Sequence, residues 1–376
     1  MFEETFKKVV FVGGHHTTAL AVIEALESAK KHFSFEIYWI GHKHSMWGDE
    51  NESAEYKEVT SLGIPFYNLS AGKFYRTYNP LKLIRIPFGF FQSLYYLLKI
   101  KPDLIVSFGG YLAVPVVIIG KILGITSFTH EQTTGVGFAN DVVSKFASKI
   151  FLTWEDSLPG LKESKVTLVG LPLRKEILNP PAFSEGGILG EFIKKASGKP
   201  LIYITGGKQG AHFLNELVRE SLDLLPIDYF VIHQCGSSTV FGDFSTLQKI
   251  KNDHYFVKDY FSAKETGLLF RYAALVVGRS GANTVYELAA IAKPAIFIPI
   301  PWVSHNEQRK NAEVLEKAGS AVILDQDKTK NSDFVKALVN VIANLRELSE
   351  NAKKFGEKIP LNASETISSE IIKYLF

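Results

Sequence analysis

The sequence predicts an α/β protein made of two doubly wound domains with mostly parallel sheets. One observation is length, because 376 residues exceed what a single ordinary hydrophobic core organises. A second is a series of short β-branched apolar runs, typical of strands buried on both faces of a parallel sheet. A third is that a strand, a glycine-rich turn and a helix open each half, at Lys8–Val12 and at Leu201–Thr205. We therefore expect two Rossmann-like domains that face each other across a cleft.

The composition is that of a folded globular protein. Hydrophobic residues make up 46% and charged residues 22% of the chain, which argues against disorder, and the net charge of +3 is too small to indicate nucleic-acid binding. The single cysteine, Cys235, excludes an internal disulfide framework and fits a reducing compartment. The charged start at Met1–Lys8 is unlike a signal peptide, and runs such as Leu112–Ile119 are too short to span a bilayer. We expect a cytoplasmic protein that is soluble or peripheral to the membrane.

Seven strands are predicted in the first half and six in the second. Those of the first half are Lys8–Val12, Phe35–Ile40, Ile64–Leu69, Asp103–Phe108, Thr126–His130, Lys149–Thr153 and Val166–Val169. Those of the second half are Leu201–Thr205, Tyr229–Gln234, His254–Val257, Ala274–Val277, Ala295–Ile298 and Ala321–Leu324. Residues 133–140 are expected to form a loop. Glycine and proline between 179 and 198 indicate a linker, so we expect domains at 1–175 and 199–350, a linker at 176–198, and a C-terminal helix in 351–376 that packs back on the first domain.

Between residues 73 and 98, basic side chains stand beside large aromatic ones. Lys73, Arg76, Lys82 and Arg85 precede a run of aromatic and aliphatic residues that ends at Leu98. This combination suits an element that lies in a membrane interface. A core helix with a solvated basic entrance fits the same apolar periodicity, so the residues alone leave both interpretations open.

Two glycine-rich loops are candidate anion sites. Gly13-Gly14-His15 and Gly206-Gly207-Lys208-Gln209-Gly210 each follow a strand and precede a helix, whose N-terminal N–H groups attract a diphosphate. Tight strand-to-helix turns need glycine in any case, but the recurrence of the loop in both halves favours a ligand site. Neither loop matches G-x-G-x-x-G or the P-loop pattern, which disfavours nicotinamide enzymes and P-loop hydrolases.

Imidazole and carboxylate groups supply candidate proton acceptors. His15 could take a proton from a sugar hydroxyl, and the adjoining helix N-terminus would keep its ring neutral. A capping role is the alternative for His15, and His16 is a rival for the same proton. His130-Glu131 ends a strand, where it could act in the same site or form a strand-end polar pair.

Polar groups also follow two strands of the second half. Arg279-Ser280-Gly281-Ala282 and then Glu287 follow one strand, and Glu307-Gln308 follows the next. A carboxylate such as Glu287 accepts both hydrogen bonds of a ribose diol, although a surface position is the more ordinary one for glutamate. Glu307 and Gln308 present an acceptor and an amide, which suit sugar hydroxyls.

No set of His, Cys, Asp or Glu residues has the spacing of a structural zinc site. We therefore expect no cofactor and no essential protein-bound metal. The charge of a diphosphate would then be met by backbone N–H groups and by Arg174, Arg279 or Lys208.

With these motifs the chain resembles GT-B glycosyltransferases, and more closely the MurG family of glycosyltransferase family 28. The matching motifs are Gly109-Gly110-Tyr111 with Pro115, His130-Glu131-Gln132, Gly206-Gly207-x-Gln209-Gly210-Ala211, Arg279-Ser280-Gly281-Ala282-x-Thr284-Val285-x-Glu287-Leu288, and Asn311-Ala312 with Ala318-Gly319. The resemblance runs over nearly the whole chain. It implies inverting, metal-independent transfer of N-acetylglucosamine from UDP-N-acetylglucosamine to a polyprenyl-pyrophosphate-linked sugar. This is the lipid I to lipid II step of peptidoglycan biosynthesis, on the inner face of the cell membrane.

The resemblance also implies roles for individual residues. His15 corresponds to a base or acceptor-pyrophosphate contact helped by Glu131, and the acceptor-side positions are Gly14, Tyr111, His130 and Thr133. The donor-side positions are Arg174, the loop of Gly207, Lys208, Gln209 and Gly210, residues 279–282, Glu287 on the ribose, Glu307 and Gln308 on the sugar, and the backbone near Val257 at the uracil. Lys73–Phe91 matches the family's membrane-docking patch.

The sequence departs from the family pattern at four places. The first loop lacks earlier glycines, Thr133 stands where the family has asparagine, Lys208 replaces a serine, and Glu307 replaces a glutamine. The first two departures concern the acceptor, and the last concerns the donor sugar. Three alternatives stay open: the same transfer to another lipid-linked or glycolipid acceptor, a non-catalytic UDP-sugar-binding subunit, and a 2-epimerase on the same fold.

Overall fold

A computed structural model describes residues 6–44, 52–72, 85–134, 137–157, 163–182, 187–303 and 306–376. Residues 73–84 of the predicted membrane patch therefore lie outside the described part of the chain. The chain divides into two compact units, of which the first comprises Met1–Leu173 with Pro360–Phe376 and the second comprises Arg174–Ile359. Each unit is built on one parallel sheet flanked by helices, as the alternating strand and helix patterns predict.

The first unit contains a seven-stranded parallel sheet in the order β3-β2-β1-β4-β5-β6-β7. Its strands are β1 (Lys7–Val12), β2 (Phe35–Gly41), β3 (Phe66–Asn68), β4 (Leu104–Ser107), β5 (Thr126–Glu131), β6 (Lys149–Leu152) and β7 (Val166–Leu168). The helices between them are α1 (His16–Ala29), α2 (Ala54–Ser61), α3 (Arg85–Ile100), α4 (Ala113–Ile122) and α5 (Phe138–Phe146). The central strands β1 and β4 are buried from Val9 to Val12 and from Leu104 to Ser107, which explains the apolar runs of these strands in the sequence.

The second unit contains a six-stranded parallel sheet in the order β10-β9-β8-β11-β12-β13. Its strands are β8 (Leu201–Thr205), β9 (Phe230–Gln234), β10 (Tyr255–Lys258), β11 (Leu275–Gly278), β12 (Ala295–Phe297) and β13 (Ala321–Ile323). Its helices are α6 (Lys175–Leu178), α7 (Ile188–Lys195), α8 (His212–Ser221), α9 (Asp243–Leu247), α10 (Ala263–Tyr272), α11 (Ala282–Ala290), α12 (Glu307–Lys317), α13 (Asn331–Ala343) and α14 (Leu345–Gly356). In each sheet the strand order reverses next to the first strand, between β1 and β4 and between β8 and β11. Open α/β sheets bind ligands at the carboxyl ends of the strands at this point.

The last helix, α15 (Ala363–Leu375), belongs to the first unit and packs on α1. Ala363, Ile367 and Ile371 are completely buried in the core that contains Leu26. The division lies later than the predicted residue 351, because Phe355 on α14 still packs against the core of the second unit.

Two stretches predicted as irregular contain helices. The predicted linker 176–198 contributes α7 and most of α6 to the second unit, because Ile177 and Ile193 are buried in its core. The predicted loop 133–140 ends inside α5, which buries Val143. Among the described residues, none of the helices combines the length and apolar character needed to cross a bilayer.

Candidate functional site

The first glycine turn connects β1 to α1 and packs against the residues that follow the neighbouring strand β4. Gly13 has a φ of 142°, and a Cβ there would lie 2.7 Å from the carbonyl carbon of Phe108, so only glycine fits. The N–H of Gly14 donates to the carbonyl oxygen of Gly109 at 3.0 Å. These backbone contacts fix the turn at the carboxyl edge of the sheet, directly before α1.

His15 is the N-cap residue of α1, but its side chain makes no capping hydrogen bond. Burial, assisted by the neighbouring His16, lowers the pKa of His15 to about 4. His16 Nε2 instead lies 3.3 Å from the carboxylate of Glu58, in an ion pair with α2 when the ring is protonated. The geometry therefore favours His15 over His16 as the neutral imidazole of this turn.

His130 is a second buried imidazole at the end of β5. Its Nε2 lies 2.9 Å from the carbonyl oxygen of Gly170 and 3.2 Å from the Thr153 hydroxyl. Its Nδ1 is buried without a hydrogen-bond partner. Burial lowers the pKa of His130 to about 4, and the nearby His15 acts in the same direction. If Nε2–H donates to Gly170, Nδ1 carries the lone pair, and a ligand hydroxyl would satisfy it.

Glu131 is buried and both of its carboxylate oxygens are engaged. Its Oε1 accepts from the N–H of Thr133 at 3.0 Å and from the Thr133 hydroxyl at 2.8 Å. Its Oε2 accepts from Asn140 Nδ2, and Asn140 Oδ1 in turn accepts from the N–H of Gly110 at 2.9 Å. Burial raises the pKa of Glu131, while these hydrogen bonds oppose the rise. The arrangement favours a positioning role for Glu131 over that of a helper base.

Two further hydrogen-bonded pairs lie at the same edge of the first sheet, and one of them includes Tyr111, which was predicted to bind the acceptor. The hydroxyl of Tyr111 is hydrogen-bonded to Nε2 of His42, which follows β2. The Thr18 hydroxyl on α1 donates to Gln132 Oε1 at 3.1 Å, which ties α1 to the end of β5. His42 and Tyr111 lie 69 positions apart, and Asn140 was placed in a predicted loop, so local patterns do not reveal these contacts.

The second glycine loop follows β8 and is held by polar side chains from the sheet. The N–H of Gly207 donates to the Thr205 hydroxyl at 3.0 Å, and Gln234 Nε2 donates to the carbonyl oxygen of Gly207 at 3.0 Å. Gly210 has a φ of 85°, and a Cβ there would lie 2.0 Å from the carbonyl oxygen of Cys235. The loop is thus packed against the chain that follows β9. Thr205 and Gln234 are site residues that sequence reasoning missed.

The central feature of the second unit is a buried ion pair between Arg174 and Glu287. Arg174 Nη2 lies 3.2 Å from Glu287 Oε1, and the Glu287 side chain is 9% exposed. Burial raises the pKa of Glu287, and the positive charge of Arg174 opposes that rise. The guanidinium expected on the diphosphate is therefore bonded to the carboxylate expected on the ribose. Arg174 precedes α6, which packs closely on α10 because a Cβ at Gly267 would lie 2.0 Å from the Glu176 carbonyl oxygen.

Arg279, Ser280 and Gln308 form contacts between the ends of β11 and β12. Arg279 Nη1 donates to the carbonyl oxygen of Ile298 at 2.6 Å, and burial lowers the pKa of Arg279 to about 10. The Ser280 hydroxyl donates to the carbonyl oxygen of Gln308 at 2.8 Å, and Gln308 Oε1 accepts from the N–H of Ile300 at 3.1 Å. These side chains build the strand-end loops, which the sequence prediction had assigned to direct donor contact. The Nε of Arg279 is buried without a partner.

Two helices of the second unit, α8 and α11, directly follow the glycine-bearing loops after β8 and β11, and like most of the described helices of this unit they have no side-chain cap. α8 begins after Ala211 and α11 begins after Gly281, and neither cap residue donates or accepts a capping hydrogen bond through its side chain. Their first N–H groups can therefore bind an anion. Glu307 is the first residue of α12, and Val257 lies in β10, the edge strand of this sheet. The second unit thus contains the buried carboxylate of Glu287 and two helix N-termini whose first N–H groups have no side-chain cap.

Comparisons with known proteins place both units in one family. The glycosyltransferase family 28 N-terminal domain matches residues 12–152, and the glycosyltransferase family 28 C-terminal domain matches residues 201–367. A protein of Bacillus thuringiensis (strain Al Hakam) is 34% identical over 97% of this chain and 98% of its own length. A protein of Borrelia hermsii is 28% identical over 98% of this chain and 97% of its own length. Both are described as UDP-N-acetylglucosamine--N-acetylmuramyl-(pentapeptide) pyrophosphoryl-undecaprenol N-acetylglucosamine transferases.

Solved structures share the fold at lower identity. The crystal structure of Acinetobacter baumannii MurG has a TM-score of 0.72 and 24% identity, over 98% of this chain and 99% of its own. The UDP-GlcNAc 2-epimerase of Neisseria meningitidis, bound to UDP-GlcNAc, has a TM-score of 0.67 and 13% identity, over 98% and 100% of the two chains. The structural likeness is one of fold, and it includes enzymes of two different reactions.

Proposed function

The chain belongs to glycosyltransferase family 28, and from this premise we propose that it transfers N-acetylglucosamine from UDP-N-acetylglucosamine to the muramyl sugar of a polyprenyl pyrophosphate. This is the conversion of lipid I to lipid II. The observation that carries the proposal is similarity over 97% of the chain to a relative with that transferase description, at 34% identity. The Arg174–Glu287 pair supports it, because a buried carboxylate with a fixed orientation suits a ribose diol.

The second unit binds the donor in this proposal. Glu287 accepts hydrogen bonds from the ribose hydroxyls, while the positive charge of Arg174 opposes the rise in the pKa of Glu287 that burial causes and its guanidinium orients the carboxylate. The uncapped N-termini of α8 and α11 receive the diphosphate, so the charge of the leaving UDP is stabilised by backbone N–H groups without a metal. Lys208 adds a positive charge in the second glycine loop.

The first unit binds the acceptor and removes its proton. The acceptor hydroxyl attacks C1 of the donor sugar, its proton passes to His15, and UDP leaves with the electrons of the broken C1–O bond, inverting the configuration at C1. His15 starts neutral because burial lowers its pKa to about 4. The pyrophosphate of a bound acceptor would raise that pKa again, since a nearby negative charge favours the imidazolium. His130 Nδ1 is the proposed contact for a second acceptor hydroxyl.

Helix α3 is the proposed membrane-docking element. Four of its apolar side chains, at spacings that place them on one face, are more than half exposed: Phe88, Phe91, Tyr95 and Leu98. Such an apolar face, together with the basic residues at 73–85, gives the two signals that stable binding to an anionic membrane needs. We therefore place the protein at the inner face of the cell membrane, where its lipid-linked acceptor lies.

A transfer assay with labelled UDP-N-acetylglucosamine tests the reaction. Lipid I and a polyprenyl-linked sugar without the muramyl peptide are offered separately. We expect a labelled product with lipid I only. Transfer to the second acceptor alone would overturn the proposed acceptor, and release of free UDP without any acceptor would favour epimerase or hydrolase chemistry.

Co-sedimentation with anionic vesicles tests the docking face. Phe91→Glu places a charge on the exposed face of α3 and should reduce the bound fraction strongly. Ile227→Glu is the matched control, because Ile227 is 85% exposed in the second unit. Equal binding of both variants would contradict the assignment of α3.

A further inference from the structure

A cluster of one imidazole and two carboxylates lies beside the second glycine loop. His212 and Glu216 are four residues apart on α8, which places them on the same face of the helix, and Asp243 begins α9. One ligand atom from each of the three residues lies within 4.8 Å of the others. We propose that these residues bind a divalent transition-metal ion, with Zn²⁺ as the best match to one nitrogen and two oxygen ligands.

Asp243 is oriented by a buried chain of hydrogen bonds. Its Oδ2 accepts from Asn215 Nδ2 at 2.6 Å, which leaves Oδ1 directed at His212 Nδ1, 2.8 Å away. Asn215 is completely buried, and its Oδ1 bonds to Nε2 of His233, whose Nδ1 bonds to the Tyr255 hydroxyl. Outer partners of this kind fix metal-ligating carboxylates and strengthen metal binding.

The His212 ring is also held in place. It stacks on Phe241 with ring centroids 4.0 Å apart and an interplanar angle of 10°. Its side chain is 41% exposed, and that of Glu216 is 37% exposed, so solvent can complete the coordination. An imidazole ligand favours zinc over magnesium, which prefers an all-oxygen octahedron.

Metal binding must replace two existing contacts. The hydrogen bond between His212 Nδ1 and Asp243 Oδ1 is broken, and a neutral ring that binds the ion through Nδ1 carries its proton on Nε2. Arg219, whose Nη2 lies 2.7 Å from Glu216 Oε2, gives up part of its contact. In return the ion cross-links α8 to the segment that ends at Asp243. That segment already bonds to the second glycine loop, because the Ser237 N–H donates to the carbonyl oxygen of Lys208 at 3.0 Å. The ion would stabilise the second unit, and it uses none of the residues assigned to donor or acceptor.

Calorimetric titration with Zn²⁺ tests the site, using full-length protein from which any affinity tag has been removed. We expect saturable binding of one ion by the wild type, much weaker binding by His212→Asn and by Asp243→Asn, and unchanged binding by His32→Asn, which alters an exposed histidine of the first unit. Co²⁺ as a probe should give the absorption bands of a four- or five-coordinate ion, and these bands should vanish in both site variants. Zn²⁺ should also raise the melting temperature of the wild type.

One further variant keeps the proposal falsifiable if the site variants fold poorly. Arg219→Met removes the competing cation and leaves all three ligands, so it should bind Zn²⁺ several-fold more tightly than the wild type. Absence of saturable binding by the wild type would overturn the proposal. So would unchanged binding in folded His212→Asn and Asp243→Asn, or weaker binding in Arg219→Met.

Discussion

Burial favours the neutral form of the titratable strand-end groups in both units, but the second unit places a counter-charge, Arg174, beside its carboxylate. In the first unit, His15 and His130 are imidazoles whose pKa burial lowers to about 4, so both rings are neutral near pH 7. In the second unit, burial raises the pKa of Glu287, but Arg174 opposes the effect and stabilises the carboxylate. Burial without a counter-charge thus yields groups able to accept a proton. Burial with a counter-charge yields a fixed hydrogen-bond acceptor.

The largest expected effect follows from removing the neutral imidazole of His15 in the first unit. His15→Ala removes the proposed base and should lower kcat by about 10²–10⁴-fold. His16→Ala is the matched control, because His16 is paired with Glu58, and it should leave kcat nearly unchanged. Steady-state transfer kinetics at saturating donor and acceptor give both values. A loss below tenfold in His15→Ala would reject His15 as the base.

Removing the counter-charge of Arg174 should leave Glu287, like His15 and His130, buried without a charged partner. Arg174→Met leaves Glu287 buried without its partner, which costs about 3–5 kcal/mol of stability if the carboxylate remains ionised. The pKa of Glu287 should then rise further. Above about pH 4.5, the ordinary value for glutamate, the unfolded chain has released a proton that the native variant still binds. The free energy of unfolding of the variant should therefore fall as pH rises from 4.5 toward the folded pKa.

Urea unfolding between pH 5 and 8 measures this slope. Arg271→Met, which changes an exposed arginine of the same unit, is the control and should follow the wild type. Arg174→Lys should restore part of the stability, because it keeps the charge but loses the planar fork. Identical pH profiles for Arg174→Met and the wild type would show that Glu287 does not depend on Arg174.

A smaller effect is expected from removing the proposed contact between Glu287 and the ribose of the donor. Glu287→Ala removes hydrogen bonds to a charged acceptor, which predicts a decrease of about 10- to 150-fold in kcat/KM for the donor. UDP-N-acetylglucosamine lacking a ribose hydroxyl should be a poor donor for the wild type, but should lose little further activity with the variant. If the deoxy-ribose donor lowered kcat/KM as much in Glu287→Ala as in the wild type, the ribose would not contact Glu287.

The smallest effect concerns the neutral state of buried imidazoles. Burial lowers the pKa of His130 to about 4 and that of His233 to about 3, from 6.5. Below pH 6.5 the unfolded chain takes up protons that the native rings do not, so stability should fall by about 2 kcal/mol per ring at pH 5. Glu131 and Glu287, whose pKa values are raised, act in the opposite direction. Urea unfolding at pH 7.5 and 5 should therefore show a smaller acid loss for His233→Gln than for the wild type, and equal losses would contradict the prediction.

The sheets were predictable from sequence because every described strand overlaps a stretch predicted as a strand, and most of these stretches are apolar runs, such as those of β1, β8 and β11. Strands buried on both faces carry that signal in their own residues. The helices α5 and α7 could not be predicted in this way, because each starts among glycine residues that indicate a loop or linker. Their burial of Val143 and Ile193 is set by the fold of the rest of the chain. Tertiary packing outweighed the local preference in both cases.

The sequence predicted individual site residues more readily than the contacts between them. Glu287 and Arg174 were both predicted, but their ion pair joins positions 113 apart, and nothing local indicates it. Arg279 and Gln308 were predicted to contact the donor, yet Arg279 donates to the carbonyl oxygen of Ile298 and Gln308 accepts from the N–H of Ile300. Sequence identifies which side chains are polar at strand ends, whereas the partners of those side chains depend on the folded loops.

Binding of UDP-N-acetylglucosamine measured apart from turnover tests the division of labour between the units most directly. The measurement is a calorimetric titration of the donor into His15→Ala and Glu287→Ala. We expect His15→Ala to bind the donor within about twofold of the wild type despite its loss of turnover, and Glu287→Ala to bind it at least about tenfold more weakly. Equal loss of donor affinity in both variants would contradict the assignment of proton transfer to the first unit and donor binding to the second.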